Sequence, residues 1–146
     1  MAENKKIKNA TSTNYNGINF RSRLEVSCYK KLETSGLSFT YESEKIVLWK
    51  GKRTDFVTVY LPDKNKNLVP IKTGYKLRDI TYTPDFKVIY KNYIIYFDVK
   101  GHINDTYPMK KKMFIQHLNN LKGNYMFFEP HNIKQMMQAI ETIKQL

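Results

Sequence analysis

Residues 81–100, Thr81-Tyr82-Thr83-Pro84-Asp85-Phe86-Lys87-Val88-Ile89-Tyr90-Lys91-Asn92-Tyr93-Ile94-Ile95-Tyr96-Phe97-Asp98-Val99-Lys100, are the stretch from which the fold is read. Two runs of β-branched and aromatic residues, Phe86 to Tyr90 and Tyr93 to Val99, flank Lys91-Asn92. A two-residue connection in which Asn tolerates positive φ predicts a tight hairpin. With Tyr90 paired to Tyr93, Ile89 faces Ile94, Lys87 faces Tyr96, Phe86 faces Phe97, and Asp85 lands opposite Asp98. Side chains alternate with period two, so Asp85, Asp98 and Lys100 share one face while Tyr93, Ile95, Phe97 and Val99 take the other.

Like charges opposed at a Cβ separation of roughly 5 Å destabilise an antiparallel pair unless something compensates them. A hard divalent cation compensates well, because Mg²⁺ binds through one or two carboxylates and keeps waters for a phosphate. Lys100, two residues beyond Asp98, then points into the same pocket. The plainer explanation is a pair of carboxylates on a solvated sheet edge.

The composition narrows the partner. Lys and Arg number 25 against 13 acids, a formal charge of +12, which favours a polyanion. No apolar run approaches the ~20 residues of a spanning helix and nothing reads as a signal peptide, so no membrane partner is expected. Cys28 is alone, which excludes a disulfide framework and a cysteine-type zinc cluster and points to a reducing, intracellular setting. The length of 146 residues suits one domain. Residues 1–16, rich in Asn, Lys, Ser and Thr, read as a flexible basic arm preceding a domain over 17–146.

Upstream of the hairpin, Leu24, Cys28 and Leu32 recur every fourth residue, predicting a helix from Phe20 to Leu32 with Gly36 as its left-handed cap. Glu25 lies about 100° round from that stripe, at the edge of the buried face. Two roles fit it equally: a site acid, or the reciprocal half of the capping box Ser22-Arg23-Leu24-Glu25. Arg21 and Arg23 suit phosphate contact or a solvated helix start. Residues 37–49 run into a hydrophobic strand ending at Trp49, and residues 50–79 read as a basic β excursion containing a second strand pattern, Phe56 to Leu61. Lys52, Arg53, Lys76 and Arg78 in that excursion, interleaved with Phe56, Tyr60 and Tyr75, suit nucleic acid, as ordinary hairpin packing also would.

Downstream, Lys110 to Leu121 predicts a helix with Phe114, Leu118 and Leu121 inward, ended by Gly123. Lys110, Lys111 and Lys112 in its first turn oppose the helix dipole, a cost that bound phosphate would relieve. Tyr125 to Phe128 reads as a buried strand, and Ile133, Met136, Met137, Ile140 and Ile143 as the core stripe of a last amphipathic helix. The expected class is α/β with an α+β mixed sheet. His102, His117 and His131 show no paired metal spacing, and Gly-rich phosphate loops are absent.

This order, helix, strand, excursion, two strands, helix, strand, helix, with Glu25, Pro84-Asp85 and Asp98-x-Lys100 in place, resembles the PD-(D/E)xK nuclease superfamily. Phe20-Arg21-Ser22-x-Leu24-Glu25, Leu32-Glu33-x-Ser35-Gly36, Phe39-x-Tyr41-Glu42, Thr81-Tyr82-Thr83-Pro84-Asp85-Phe86 and Val99-Lys100-Gly101 resemble more narrowly the phage endonuclease I family of Holliday-junction resolvases. The resemblance runs from Gly17 to Gly101; it departs in having Asp98 where that family has Glu and a longer excursion before Thr81. It implies a restriction-endonuclease-like αβββαβ core and a Mg²⁺- or Mn²⁺-dependent endodeoxyribonuclease acting on four-way or branched DNA. It further implies Glu25, Asp85 and Asp98 as acidic ligands, with the Val99 carbonyl beside them, and Lys100 as the catalytic lysine. An intertwined homodimer with exchanged elements, in the host cytoplasm if phage-encoded, also follows from it. The rival expectations are a nicking or host-DNA-degrading nuclease of the same superfamily and a non-catalytic basic nucleic-acid-binding module.

Overall fold

A computed structural model describes residues 11–55, 59–71 and 74–146. They form two compact units, one from residues up to Lys45 together with Thr83–Leu146, the other Ile46–Tyr82. The protein is α+β, with strands, a helix, the excursion, two strands, a helix, a strand and a last helix in that order.

The first unit is built on the predicted hairpin. Strand β8 (Phe86–Tyr90) pairs antiparallel with β9 (Tyr93–Phe97) from Tyr90↔Tyr93 to Phe86↔Phe97, the register read from the sequence. The left-handed turn residue is Lys91, at φ 51°, where the sequence suggested Asn92. On the outer side of β8 runs β3 (Ser38–Tyr41), antiparallel; on the outer side of β9 runs β10 (Asn124–Phe128), parallel. The sheet order is therefore β10-β9-β8-β3.

Helices lie on both faces of the sheet, as the continuous apolar run Tyr93–Phe97 of β9 requires. Phe86 and Val88 of β8 and Ile95 and Phe97 of β9 are fully buried against Cys28 and Leu32 of α1 (Arg23–Ser35) and Met136, Ile140 and Ile143 of α3 (Ile133–Lys144). On the opposite face Phe114 of α2 (Tyr107–Asn120) lies edge-on to Tyr96 at 5.3 Å and to Phe127 at 5.6 Å between ring centroids.

Local chemistry sets the helix ends. Ser22 caps α1 by accepting from the Glu25 amide, and Gly36 closes it at φ 77°. α2 starts three residues earlier than the pattern suggested, with Pro108 in its first turn, so Lys111 and Lys112 lie past the first turn and the expected dipole conflict is largely absent. It ends at Leu121, whose extended backbone takes its side chain off the helical stripe; Leu121 is 41% exposed rather than inward, and Gly123 lies beyond the end. Met137 is likewise exposed, because the buried stripe of α3 runs Met136, Ala139, Ile140, Ile143.

Of the segment expected to be an arm, residues 1–10 lie outside the described residues. Thr13–Tyr15 (β1) instead pairs with Ile18–Phe20 (β2), the turn being made by Asn16 and Gly17 at positive φ.

The second unit holds two two-stranded antiparallel ribbons. Strand β4 (Ile46–Trp49) pairs with β7 (Ile80–Tyr82), Arg53 bridges Lys76, and β5 (Val59–Pro62) pairs with β6 (Leu68–Ile71). Asp63 Oδ1 accepts from the Asn65 and Asn67 amides at 2.8 and 2.9 Å and so shapes the tip. Of the aromatics expected to interleave with its basic residues, Phe56 and the side chain of Tyr60 lie outside the described residues.

Candidate active site

Beyond Phe97 the chain leaves β8 and follows β10: the Asp98 amide donates to the Phe128 carbonyl at 3.0 Å and the Lys100 amide to the Pro130 carbonyl at 3.1 Å. The Val99 amide is met instead by the Asp85 carboxylate, which accepts from it through Oδ2 at 2.7 Å. The end of the hairpin thus brings together the two aspartates predicted to oppose each other, at 2% and 1% exposure. They do not lie on a solvated edge. Lys100 Nζ reaches Asp98 Oδ1 at 2.9 Å, as the shared face of positions 98 and 100 predicts.

Glu25 comes to the same place from the first turn of α1 and is also buried. The capping role considered for it is seen directly, and its charge acts on Asp85. Its amide donates to Ser22 Oγ at 3.1 Å, the serine half of the capping box, while its Oε1 accepts from the Ser22 hydroxyl at 3.0 Å. Its Oε2 accepts from Tyr41 Oη at 2.9 Å and from the Arg21 amide at 3.3 Å.

Arg21, expected to meet phosphate, pairs with the acids of the site while its side chain stays 66% exposed. Its Nη2 lies 3.2 Å from Asp85 Oδ1 and pairs with Glu42. Glu42 holds a left-handed backbone, φ 43°, and its amide donates to the Asp85 carbonyl at 2.8 Å. A non-glycine residue there stores about 1–2 kcal/mol. Tyr41 and Glu42 are site neighbours that residue-level reading missed; only the Phe39-x-Tyr41-Glu42 motif marked them.

Electrostatics follow from this geometry. Burial, then Asp98 and then Glu25 push the Asp85 pKa well above the ordinary carboxylate range, against Lys100 and the Val99 amide, which lower it. Beneath the acids Cys28 is fully buried, and burial with the fields of Asp85 and Glu25 pushes its thiol up to about 12. It stays protonated at neutral pH.

The other expected contact residues fall elsewhere. Arg23 is exposed on α1, and Lys112 on α2. Lys110 is half-buried, and Lys111 is held by Glu129 at 3.0 Å. In the ribbon unit Lys52, Arg53, Lys76 and Arg78 are exposed, Arg53 Nη1 donating to the Gly74 carbonyl at 2.8 Å.

The donor set is one of hard oxygens. Among the described residues no three or more His, Cys, Asp and Glu side chains are gathered so as to hold a metal ion by themselves. Asp85 and Asp98 are the remaining pair, and one or two carboxylates completed by water and phosphate match what Mg²⁺ or Mn²⁺ takes. The residues present fit such an ion in this two-carboxylate form.

Fold and site together define an α+β protein with a buried acidic centre at the end of its central hairpin. The chain belongs to the family described as "Protein of unknown function (DUF1064)", which it matches over residues 5–131. No curated protein and no solved structure matches it.

Proposed function

We propose that the protein is a metal-dependent endodeoxyribonuclease with the αβββαβ core of the PD-(D/E)xK superfamily, selective for four-way or branched DNA. The observation that carries this reading is the buried Asp85–Asp98 pair, with Lys100 2.9 Å from Asp98, at the end of the central hairpin. The order α1, β3, β8, β9, α2, β10 and the place of Glu25 on α1 support it.

Asp85, Asp98 and the Val99 carbonyl would hold Mg²⁺ or Mn²⁺, with Glu25 beside them. When bound, such an ion lowers the pKa of its water and stabilises charge on the attacked phosphate. Asp85, with its raised pKa, must give up its proton and its Arg21 contact to serve as a ligand. Arg21 is then released beside the scissile phosphate, where a guanidinium binds oxygens two at a time. Lys100, fixed against Asp98, supplies a positive charge where the transition state gains negative charge. Glu25, whose bonds to Tyr41 and Ser22 fix it at the helix start, would support a second ion.

DNA is the proposed partner because basic residues exceed acidic ones by twelve in the whole chain. The family resemblance adds a homodimer with exchanged elements and an intracellular setting. Among the described residues no helix is long and apolar enough to cross a membrane.

The test is cleavage of four-way junction, flap, nicked and linear duplex DNA with Mg²⁺, Mn²⁺ or EDTA. Metal-dependent cutting of the junction, lost in Asp85→Ala and Lys100→Ala while DNA binding persists, is the expected result. Full activity in either variant, or cutting in EDTA, removes the assignment. A second reading has one observation in its favour: Arg21 and Lys100 already neutralise part of the acidic centre. On that reading the protein binds nucleic acid without cutting it, and binding is indifferent to Mg²⁺.

A further inference from the structure

Behind the acidic centre stands a second cluster, in the region after Gly101 where the family resemblance stops. Tyr107 opens α2 and is 5% exposed. The Lys100 ammonium sits over its ring, 4.3 Å from the centroid. Its hydroxyl donates to Glu129 Oε2. Burial, Glu129 and Asp98 push the phenol above its ordinary range, so it remains a hydrogen-bond donor. Glu129 follows β10 and is pinned by Lys111 Nζ and His131 Nε2, each at 3.0 Å.

Lysine carries its charge on a long stem with many rotamers, and ordering that stem costs entropy. Here the ammonium is fixed from two sides, by Asp98 Oδ1 at 2.9 Å and by the face of Tyr107. A ring face attracts a cation most where water is excluded, as at a tyrosine this deeply buried. The ring is held by its burial at the start of α2, and Pro130, next to the Glu129 that its hydroxyl meets, accepts from the Lys100 amide at 3.1 Å.

The geometry points to Tyr107 as a positioning residue that holds the Lys100 ammonium against Asp98 through the face of its ring. This role rests on the nuclease reading, in which Lys100 acts at the scissile phosphate. Tyr107→Phe keeps the ring and loses the hydroxyl; Tyr107→Leu loses both, and Tyr107→Met serves if the leucine variant does not fold.

The first measurement needs no activity. In the NMR spectrum of the full chain, the Lys100 ε-methylene protons are displaced upfield by the ring in wild type and Tyr107→Phe and return to their ordinary position in Tyr107→Leu. The second is single-turnover cleavage of a junction with Mg²⁺. Tyr107→Phe stays within about threefold of wild type and Tyr107→Leu slows about tenfold, with DNA affinity unchanged. A wild type without the upfield displacement, a leucine variant at full rate, or a phenylalanine variant as slow as the leucine one overturns the proposal. A wild type that shows the displacement but cuts no DNA overturns the nuclease reading instead.

Discussion

Glu25 offers a clean separation of scaffold from chemistry, because glutamine can do one of its jobs and not the other. Its carboxylate takes part in three bonds, with Tyr41 Oη at 2.9 Å, Ser22 Oγ at 3.0 Å and the Arg21 amide at 3.3 Å. In Glu25→Gln the amide oxygen still accepts from Tyr41 and Arg21, and the new NH₂ donates to Ser22 Oγ, which has a lone pair to spare. Glutamine is also an accepted partner in a capping box. The loss of one negative charge beside Asp85, whose pKa Glu25 raises, works in the variant's favour. Glu25→Gln should therefore unfold within about 0.5 kcal/mol of wild type at pH 7. Glu25→Ala removes the carboxylate's bond to Ser22 and strands a half-buried tyrosine hydroxyl, about 2 kcal/mol in all. In a chain of this size that lowers Tm by roughly 4–8 °C. Urea unfolding in EDTA measures the first effect and junction cleavage with Mg²⁺ the second, where both variants should lose about a hundredfold or more if Glu25 serves the site. A glutamine variant that cuts like wild type places Glu25 in the scaffold alone; one that unfolds like alanine shows that its charge, not its hydrogen bonds, holds the helix start.

Two further outcomes follow from the site and from the ribbon. Because the Asp85 pKa is raised on folding, the folded chain keeps a proton that the unfolded chain releases near pH 3.9, so this group's contribution falls as pH rises from there through the folded value. In metal-free urea titrations Asp85→Asn should gain on wild type across that window, and a gap that closes with rising pH would refute the raised pKa. For the ribbon, replacing the exposed pair Lys52 and Arg53 by alanine should reduce the slope of log K against log salt by about two if both meet phosphate, while leaving Tm unchanged. An unaltered slope removes the ribbon from the DNA-binding surface.

The hairpin was legible because a two-residue turn leaves little choice of register, and that register puts Phe86, Val88, Ile95 and Phe97 on one face. The helix caps were legible because Ser22 and Gly36 act on their own neighbours. What was not legible depends on positions far apart in the chain. Nothing near Arg21 says that it will meet Glu42 and Asp85 rather than solvent, and nothing near Tyr107 says that Lys100 will lie over it. Leu121 and Met137 failed for a nearer reason: helical periodicity assigns a face but does not say where the helix stops or how wide the covered stripe is. The sign of the site was hidden in the same way. A chain with a formal charge of +12 gathers Glu25, Glu42, Asp85 and Asp98 around Arg21 and Lys100, so the local balance is negative. Three of those four acids are buried, where a fold with only packing to satisfy would place apolar side chains of the same volume. On the proposed nuclease reading, the stability given up there serves a positive species at the end of the hairpin, and the basic surplus over the rest of the chain suits a polyanion to arrive with it.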